Sequence, residues 1–254
     1  MNYNFSEKIV LITGGTSGIG LAAAKLFLEN GAKVIVVGRS ADKGQLATAE
    51  LAKFNTKVVF LTGDVRTPEG CQQIISQAVA LFGQLDIVVN SAGIYLEKMI
   101  TETTPEEYDE IMDINIKGTY FISKYVVPHL IARGGSIINI SSDAGLNGNV
   151  LCTAYCAAKG AVTLFTKSLA LELAPHNIRV NCVCPGDIAT PMLEKQLSGA
   201  SDADAALREM ASIYPMGRVG RAEEAAHVIC FLASDAASFV TGAAWTVDGG
   251  LTAC

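Results

Sequence analysis

Two tyrosine–lysine pairs in the sequence have the spacing of about one helical turn. Tyr155 precedes Lys159 in AYCAAKGAV, and Tyr120 precedes Lys124 in TYFISK. Residues four apart lie on one face of a helix, so in each pair the phenol and the ammonium can interact. A free phenol has a pKa of about 10, too high for efficient proton transfer at neutral pH, and a nearby cation lowers it. Either pair therefore has the composition of a general acid/base, and spacing alone does not choose between them.

Seven short runs rich in Val and Ile predict strands that are buried on both faces. Helix-like segments separate them, and two of these begin with threonine, proline and acid, at 67–69 and 104–107. The predicted strands cover residues 8–13, 32–38, 57–62, 85–90, 135–141, 178–183 and 243–248. Strands that alternate with helices indicate βαβ units and a parallel sheet. We therefore expect residues 1–254 to form a single α/β domain.

A glycine-rich turn follows the first predicted strand. The stretch TGGTSGIG, residues 13–20, leads directly into a helical pattern that closes at Gly31. Glycine in such a turn lets the backbone approach a pyrophosphate, whose charge lies against the helix N-terminus. The turn therefore favours a dinucleotide-binding fold of the Rossmann type, a doubly wound parallel sheet of about seven strands with helices on both faces.

The spacing of these glycines resembles the cofactor motif of the short-chain dehydrogenases/reductases, and the resemblance extends over essentially the whole chain. Residues 90–93 resemble the family's N-N-A-G, with Ser91 in place of the second asparagine. Asn115 in MDINIKG matches the family's helix-four asparagine, and Ser142 precedes Tyr155 by the usual 13 residues. The segments CVCPGDIATP and FVTGAAWTVDGG match later parts of the family pattern.

This resemblance distinguishes the two tyrosines. No serine lies 13 residues before Tyr120, so the resemblance implies that Tyr120 belongs to helix packing or the surface. It implies that Tyr155 exchanges a proton with the substrate oxygen, to which Ser142 hydrogen-bonds. Lys159 would lower the pKa of that tyrosine and hold the nicotinamide ribose, and Asn115 would support a water that relays protons. The resemblance implies no metal.

By the same resemblance, a nicotinamide dinucleotide binds at the carboxyl ends of the strands. The residues expected to contact it are Gly14, Thr16, Ser17, Gly18, Ile19, Gly20, Arg39, Ser40, Asp64, Val65, Asn90, Ala92, Gly93, Tyr155, Lys159, Pro185, Gly186, Ile188 and Thr190. Asp64 occupies the position that the family uses near the adenine, and Thr190 the position that contacts the nicotinamide.

The end of the second predicted strand indicates which dinucleotide is preferred. An acid there binds the ribose 2′-hydroxyl of NAD, whereas a nearby arginine accommodates the 2′-phosphate of NADP. In VIVVGRS, Gly38 stands where the acid is expected, and Arg39 and Ser40 follow. We therefore expect a preference for NADP(H), with NAD(H) possible. The alternative is an exposed Arg39 that caps a helix, with either cofactor accepted.

One long segment interrupts the alternation of strands and helices. Residues 190–217 contain helical pieces but no strand, and they follow the sixth predicted strand. Ligands of open α/β sheets bind beyond the carboxyl ends of the strands. We therefore expect this segment to be a lid over the substrate, the alternative being a solvated surface insertion.

The acids, amides and modest apolar groups at the positions that would border the pocket suit a neutral polar alcohol or ketone, such as a sugar or a steroid. The positions that would border its pocket are Ile94, Tyr95, Asp143, Leu146, Asn149, Cys152, Asp187, Met192 and Leu193. The first alternative is a 3-oxoacyl-acyl-carrier-protein reductase, whose acidic carrier needs basic residues at the pocket mouth. Arg133 matches one of these, but His176 replaces the other. A non-catalytic dinucleotide-binding protein is the second alternative, which the presence of Tyr155, Lys159 and Ser142 disfavours.

Composition limits the partners and the compartment. The net charge is −6 and basic residues are not clustered, so a nucleic-acid partner is not expected. No run of about 18 uncharged apolar residues predicts a membrane span, and the N-terminus does not read as a signal peptide. The odd count of seven cysteines indicates reduced thiols in the cytoplasm, not a disulfide framework. By the resemblance we expect a homotetramer.

Overall fold

The structure, a computed structural model, describes residues 3–55 and 57–253. The strands are β1 (Ile9–Thr13), β2 (Lys33–Gly38), β3 (Val58–Thr62), β4 (Ile87–Asn90), β5 (Gly135–Ile140), β6 (Ile178–Pro185), β7 (Ile188–Ala189), β8 (Gly220–Arg221) and β9 (Ala244–Val247). Within the described residues, seven of them form one parallel sheet in the order β3-β2-β1-β4-β5-β6-β9. Each of these seven falls within a predicted strand or extends it by two residues.

Helices connect the strands. They are α1 (Gly18–Glu29), α2 (Ala41–Leu51), α3 (Pro68–Phe82), α4 (Pro105–Met112), α5 (Gly118–Leu130), α6 (Thr153–Leu173), α7 (Pro191–Leu197), α8 (Ala203–Ser212) and α9 (Ala222–Ala233). A π-helical turn, Asp113–Lys117, joins α4 to α5. Across the described ranges, no helix is both long and apolar enough to cross a membrane.

Strand β1 shows why the strands read as continuous apolar runs. All five of its residues are buried, and successive side chains of a strand point to opposite faces. Val10 and Ile12 belong to the core cluster that contains residues of α1 and α9. Ile9 and Leu11 belong to the opposite cluster, with residues of α3, α5 and α6. The sheet therefore has helices on both faces, which confirms the predicted Rossmann-type architecture.

The predicted helix starts at residues 67 and 104 are also present. The Thr67 hydroxyl accepts a hydrogen bond from the Gly70 N–H at 3.1 Å. Thr104 and Glu107 form a reciprocal capping box, at 3.2 Å and 2.9 Å. Such caps satisfy N–H groups that have no partner within the helix. Each cap typically stabilises the folded protein by about 1 kcal/mol.

The order of the strands reverses between β1 and β4. β1 pairs with β2 on one side and with β4 on the other, and Thr13 lies opposite Asn90. In open α/β sheets, ligands bind in the crevice beyond the carboxyl ends of the strands at such a reversal. The topology therefore places the glycine-rich turn after β1 and the residues after β4 side by side at the expected binding crevice.

The segment 190–217 contains α7 and α8 and no strand. β7 and β8 pair on either side of it, and the Gly220 N–H donates to the Asp187 carbonyl at 2.9 Å. Both ends of the segment are thus held at the sheet, at the carboxyl end of β6.

Candidate active site

Tyr155 and Lys159 lie in the first turns of α6, one helical turn apart. Both are buried, with exposed fractions of 8% and 5%. Lys159 Nζ lies 5.7 Å from the centroid of the Tyr155 ring and donates to the Ile140 carbonyl at the end of β5, at 2.9 Å. The end of β5 therefore fixes the ammonium beside the phenol.

The second tyrosine–lysine pair has a different environment. The Tyr120 side chain is 48% exposed, and its ring packs against Phe121 and Phe165. It is not among the residues of the cavity described below. Tyr120 is thus a surface residue of α5 with aromatic neighbours, as the sequence indicates.

Burial changes the acidity of both members of the first pair. Loss of hydration disfavours the ammonium and lowers the pKa of Lys159 to about 8. Burial also raises the pKa of Tyr155 well above its usual value, and the charges of Asp143 and Asp187 add to the shift, while the Ser142 hydroxyl opposes it. The protein alone therefore keeps Tyr155 protonated at neutral pH.

Ser142 lies directly after β5, where the chain turns into a short 3-10 helix. Its hydroxyl donates to Asp143 Oδ1 at 2.6 Å and accepts from the Ala144 N–H at 3.2 Å. The second carboxylate oxygen of Asp143 accepts from Asn149 Nδ2 at 3.2 Å. The Ser142 proton thus points to Asp143 in this structure.

Asn115 lies in the π-helical turn, a local irregularity that is often found at functional sites. Its side chain accepts from the Ile94 N–H at 3.2 Å and donates to the Ile94 carbonyl at 3.0 Å. A Cβ on Gly93 would lie 2.8 Å from Asn115 Oδ1 and 3.5 Å from Lys159 Nζ. Asn115 therefore joins the segment after β4 to the surroundings of Lys159.

The glycine-rich turn is packed too closely for side chains. Gly14 has φ +66°, and a Cβ there would lie 2.8 Å from the Ala92 backbone. A Cβ on Gly20 would lie 2.4 Å from the Gly14 carbonyl oxygen. Glycine is therefore required for the turn itself and for the approach of α1 to it.

The N-terminus of α1 fits the pyrophosphate of a dinucleotide. Its N-cap residue, Ser17, makes no side-chain capping bond, as is also true of the N-caps of α5, α6 and α7. Ser17, Gly18 and Ile19 line the cavity. Helix N–H groups without a capping side chain, together with the helix dipole, suit a bound anion.

One cavity of about 900 Å³ joins these features. The predicted site residues on its wall are Gly14, Ser17, Gly18, Ile19, Gly93, Asn115, Ser142, Tyr155, Lys159, Pro185, Gly186, Ile188 and Thr190. The predicted pocket positions on the same wall are Ile94, Tyr95, Asp143, Asn149, Cys152, Asp187, Met192 and Leu193. The structure thus brings together the four predicted catalytic residues and most of the predicted substrate positions, whereas Leu146 lies outside the wall.

Other predicted cofactor contacts do not line this cavity. They are Thr16, Gly20, Arg39, Ser40, Asp64, Val65, Asn90 and Ala92. Arg39 and Ser40 are exposed, and Ser40 accepts from the Lys43 N–H at 3.3 Å as the cap of α2. Asn90 is buried, and its Nδ2 donates to Ser123 and Asn139.

Asp64 forms an ion pair that the sequence reading did not predict. Partial burial opposes its ionisation, but hydrogen bonds and charge from Arg66, with a smaller contribution from Arg39, keep its pKa below the usual value. The Arg66 Nε–Asp64 Oδ2 distance is 2.8 Å. Two arginines therefore lie near the carboxyl ends of β2 and β3.

The cavity also contains residues that the sequence reading did not single out, among them Glu97, Asn147, Glu209, Tyr214 and Leu251. The Tyr214 hydroxyl accepts from the Asp187 N–H at 2.7 Å, although 27 residues separate the two. No local motif marks such contacts, because they depend on how the segment 190–217 folds back over the sheet.

Comparisons with known proteins agree with this architecture. A family model described as enoyl-(acyl carrier protein) reductase matches residues 14–252. L-fucose dehydrogenase of Mus musculus is 39% identical over 97% of this chain and 89% of its own. A 3-oxoacyl-[acyl-carrier-protein] reductase of Thermotoga maritima is 41% identical over 96% and 97%. An NADP-dependent (R)-specific alcohol dehydrogenase of Lentilactobacillus kefiri is 38% identical over 100% of each chain.

Solved structures show the same fold. Levodione reductase superposes with a TM-score of 0.95 at 32% identity, covering 99% of this chain and 100% of its own. The aldohexose dehydrogenase of Thermoplasma acidophilum superposes with a TM-score of 0.90 at 35% identity, covering 98% and 96%. The chain belongs to the short-chain dehydrogenase/reductase family of oxidoreductases, which transfer hydride between a nicotinamide cofactor and an alcohol or ketone.

Proposed function

We propose that Tyr155 is the general acid/base of a reversible hydride transfer between a secondary alcohol and its ketone. One observation carries this assignment: Tyr155, Lys159, Ser142 and Asn115 border the same cavity as the uncapped N-terminus of α1. In that cavity a substrate oxygen can meet the Tyr155 hydroxyl while a dinucleotide occupies the glycine-rich turn. The bound nicotinamide supplies the hydride for reduction and accepts it during oxidation.

In the direction of oxidation, Tyr155 takes the proton from the substrate hydroxyl. Its pKa is raised by burial and by the charges of Asp143 and Asp187, so the ionised phenol needs stabilisation by positive charge. Lys159 supplies one such charge, held in place by the Ile140 carbonyl. With a pKa of about 8, Lys159 can also gain and lose a proton near neutral pH, and Asn115 lies beside it to complete a proton path.

Ser142 orients the substrate oxygen. A hydroxyl has one proton to donate, and here that proton points to Asp143. An incoming alcohol donates its one proton to Tyr155, so Ser142 can hydrogen-bond that oxygen only as a donor, after its hydroxyl turns away from Asp143. A ketone oxygen needs the Ser142 hydroxyl to rotate away from Asp143 before it can accept that proton.

A panel of secondary alcohols and ketones with both NAD(P)⁺ and NAD(P)H tests this function. Turnover is followed by the absorbance of the reduced nicotinamide. We expect turnover with at least one alcohol or ketone of the panel. An absence of turnover across the panel, despite measurable dinucleotide binding, would favour the non-catalytic binding protein.

We propose NADP(H) as the preferred cofactor. The end of β2 carries no acid, and Arg39 is exposed beside Gly38. A Cβ at position 38 would lie 3.0 Å from Thr16 Cγ2, so the strand end lies against the glycine-rich turn. An acid there would repel a 2′-phosphate, whereas the Arg39 guanidinium can contact it through paired, charge-assisted hydrogen bonds. The relative from Lentilactobacillus kefiri, named as NADP-dependent, supports this preference.

Arg39→Ala is expected to reduce the ratio of kcat/KM for NADP⁺ to that for NAD⁺ about tenfold or more, because a charged hydrogen bond is worth about 1.5–3 kcal/mol. Steady-state rates with one alcohol and both cofactors give the ratio. Lys53→Ala, an exposed cation beyond the C-terminus of α2, is the matched control and should leave it unchanged. A wild-type preference for NAD⁺, or an unchanged ratio in Arg39→Ala, would contradict the proposal.

The alternative 3-oxoacyl-acyl-carrier-protein reductase keeps some support from the relative in Thermotoga maritima. Arg133 and His176 are both exposed, so either can meet a carrier. The acidic cavity disfavours it, since Glu97, Asp143 and Asp187 lie on the wall. Reduction of a 3-oxoacyl thioester, compared with reduction of a simple ketone, separates the two functions.

We propose that residues 190–217 act as a lid over the substrate. Residues of α7, α8 and the following turn line the cavity, and α8 contains no buried residue. In α7 only Leu193 is buried. Segments with few buried apolar side chains open at low cost in free energy.

Hydrogen exchange tests the lid. Amides of α7 and α8 are expected to exchange quickly in the protein alone and to gain protection when dinucleotide and substrate are both present. Amides of β5, in the middle of the sheet, are the internal reference and should be protected in both states. Equal, strong protection of α7 and α8 in both states would exclude a gating role.

We also propose a homotetramer in the cytoplasm that does not bind nucleic acid. Leu164 and Leu171 on α6 are 69% and 81% exposed, and Phe239, before β9, is fully exposed. Such exposed apolar side chains suit contacts between copies of the chain. The described cysteines are free, as a reducing compartment requires. Light scattering after size exclusion measures the assembly.

A further inference from the structure

The wall of the active-site cavity carries several acidic side chains that have no role in the proposed hydride transfer. Glu97, Asp143, Asp187 and Glu209 line it. Lys159 is the one cationic side chain of that wall within the described ranges. Glu97, Asp143 and Asp187 follow β4, β5 and β6, so the carboxylates come from three neighbouring strand ends.

Asp143 and Asp187 are the two carboxylates whose charges act on Tyr155. Asp143 is 7% exposed, and its two oxygens accept one hydrogen bond each from Ser142 and Asn149. An ionised carboxylate has about four acceptor positions. Asp143 therefore retains acceptor capacity next to the oxygen-binding hydroxyl of Ser142.

The other two inner carboxylates lie beside tyrosine hydroxyls. Glu97 Oε2 accepts from the Tyr95 hydroxyl at 3.1 Å, and the Tyr214 hydroxyl accepts from the backbone N–H of Asp187 at 2.7 Å. Burial raises the pKa of Asp187, and the charges of Asp143 and Glu97 raise it further. The charges of the three carboxylates thus act on one another, and none of the ion pairs among the described residues involves them.

We propose that the substrate is a neutral, polyhydroxylated molecule of the sugar or polyol class, whose hydroxyls beside the reacting carbon donate to Asp143 and Asp187. This inference rests on the proposed function of the same site. Hydroxyl groups can donate to the carboxylates and accept from Asn147 and Asn149 on the same wall. An anionic substrate would meet repulsion at each of these carboxylates.

The arrangement also disfavours a cationic substrate. An ammonium is a compact charge with three N–H donors. A site for it would need two carboxylates that point to one position. Here the carboxylates follow three different strands, and those of Asp143 and Glu97 already accept hydrogen bonds from neutral groups. Several hydroxyls around a sugar ring match such a spread of acceptors better than one charge does.

A substrate panel with matched members tests the class. Cyclohexanol is compared with cyclitols, alditols, aldopentoses and aldohexoses, with 2-aminocyclohexanol, and with 3-hydroxybutyrate as the anion. We expect the best polyol to exceed cyclohexanol in kcat/KM by about 100-fold or more. A higher kcat/KM for the amine or the anion than for every polyol would overturn the proposal. So would a best polyol whose kcat/KM exceeds that of cyclohexanol by less than tenfold. Either result would leave the hydride transfer intact. No turnover with any compound would instead contradict the proposed function.

Two variants assign the effect to the named residues. Asp143→Asn and Asp187→Asn are each expected to lower the ratio of kcat/KM for the best polyol to that for cyclohexanol by about 10–100-fold, the worth of a charged hydrogen bond. Asp109→Asn, exposed on α4, is the control and should leave the ratio unchanged.

Binding gives a readout that does not require turnover. Calorimetric titration of the Tyr155→Phe protein, saturated with dinucleotide, should show a weaker polyol affinity when Asp187→Asn is added. Equal affinities, together with unchanged kinetic ratios in both asparagine variants, would show that the carboxylates do not bind the substrate.

Discussion

Tyr155→Phe is expected to lower kcat by about 10²–10⁴-fold, the usual contribution of a general acid/base, with dinucleotide affinity within about threefold of the wild type. The substitution removes only the hydroxyl, and the ring keeps its edge-to-face contact with Tyr95, at 5.0 Å between centroids. Steady-state rates and fluorescence titration of the dinucleotide measure the two quantities separately.

Tyr120→Phe is the matched control, because Tyr120 also precedes a lysine by four residues but lies on the surface. It should keep nearly all activity. A Tyr155→Phe protein within about threefold of wild-type kcat would remove Tyr155 from the proton transfer, whatever happens to Tyr120→Phe.

Lys159→Met is expected to lower kcat about 100-fold or more and, at the same time, to stabilise the cofactor-free protein. Methionine fills a similar volume but supplies no charge for the Tyr155 phenolate. The wild-type protein buries an ammonium whose pKa falls from 10.5 to about 8, and that burial opposes folding wherever the lysine is charged.

The stability gain has a defined pH dependence. Between pH 8 and 10.5 the unfolded chain binds the Lys159 proton and the folded protein does not, so wild-type stability rises with pH across that window. The advantage of Lys159→Met should be full below pH 8, about 2 kcal/mol after loss of the Ile140 hydrogen bond, and by pH 10.5 it should be lost or slightly reversed, because only the missing hydrogen bond then remains. Urea unfolding at pH 7 and pH 10.5 measures it, and a variant less stable than wild type at pH 7 would contradict this account.

The inner strands of the sheet are predictable because they are buried on both faces, whereas the edge strands β3 and β9 are only partly buried. β1 and the middle of β2 read as apolar runs for this reason, and the turns and caps between strands have local signals such as the Thr104 capping box. The π-helical turn around Asn115 has no such signal in MDINIKG. Its extra residue per turn depends on tertiary contacts such as the hydrogen bonds to Ile94.

The site is predictable to the extent that local motifs define it. The turn after β1 and the Tyr155–Lys159 spacing place glycines and a phenol–ammonium pair, and the structure brings them to one cavity. The Ser142–Asp143 hydrogen bond and the contact between Tyr214 and Asp187 are set by rotamers and by chain folding over long separations. The sequence already favours an alcohol or ketone such as a sugar, and the structure adds Glu97 and Glu209 to the acidic side chains of the cavity wall.

The fate of the substrate hydrogen tests the central claim most directly. The best alcohol of the panel, carrying deuterium on its carbinol carbon, is oxidised in ordinary water, and the reduced nicotinamide is isolated and analysed by mass spectrometry and NMR. The account predicts one deuterium per reduced nicotinamide, on a single face of C4. Hydrogen from solvent at that carbon would contradict direct hydride transfer in this site.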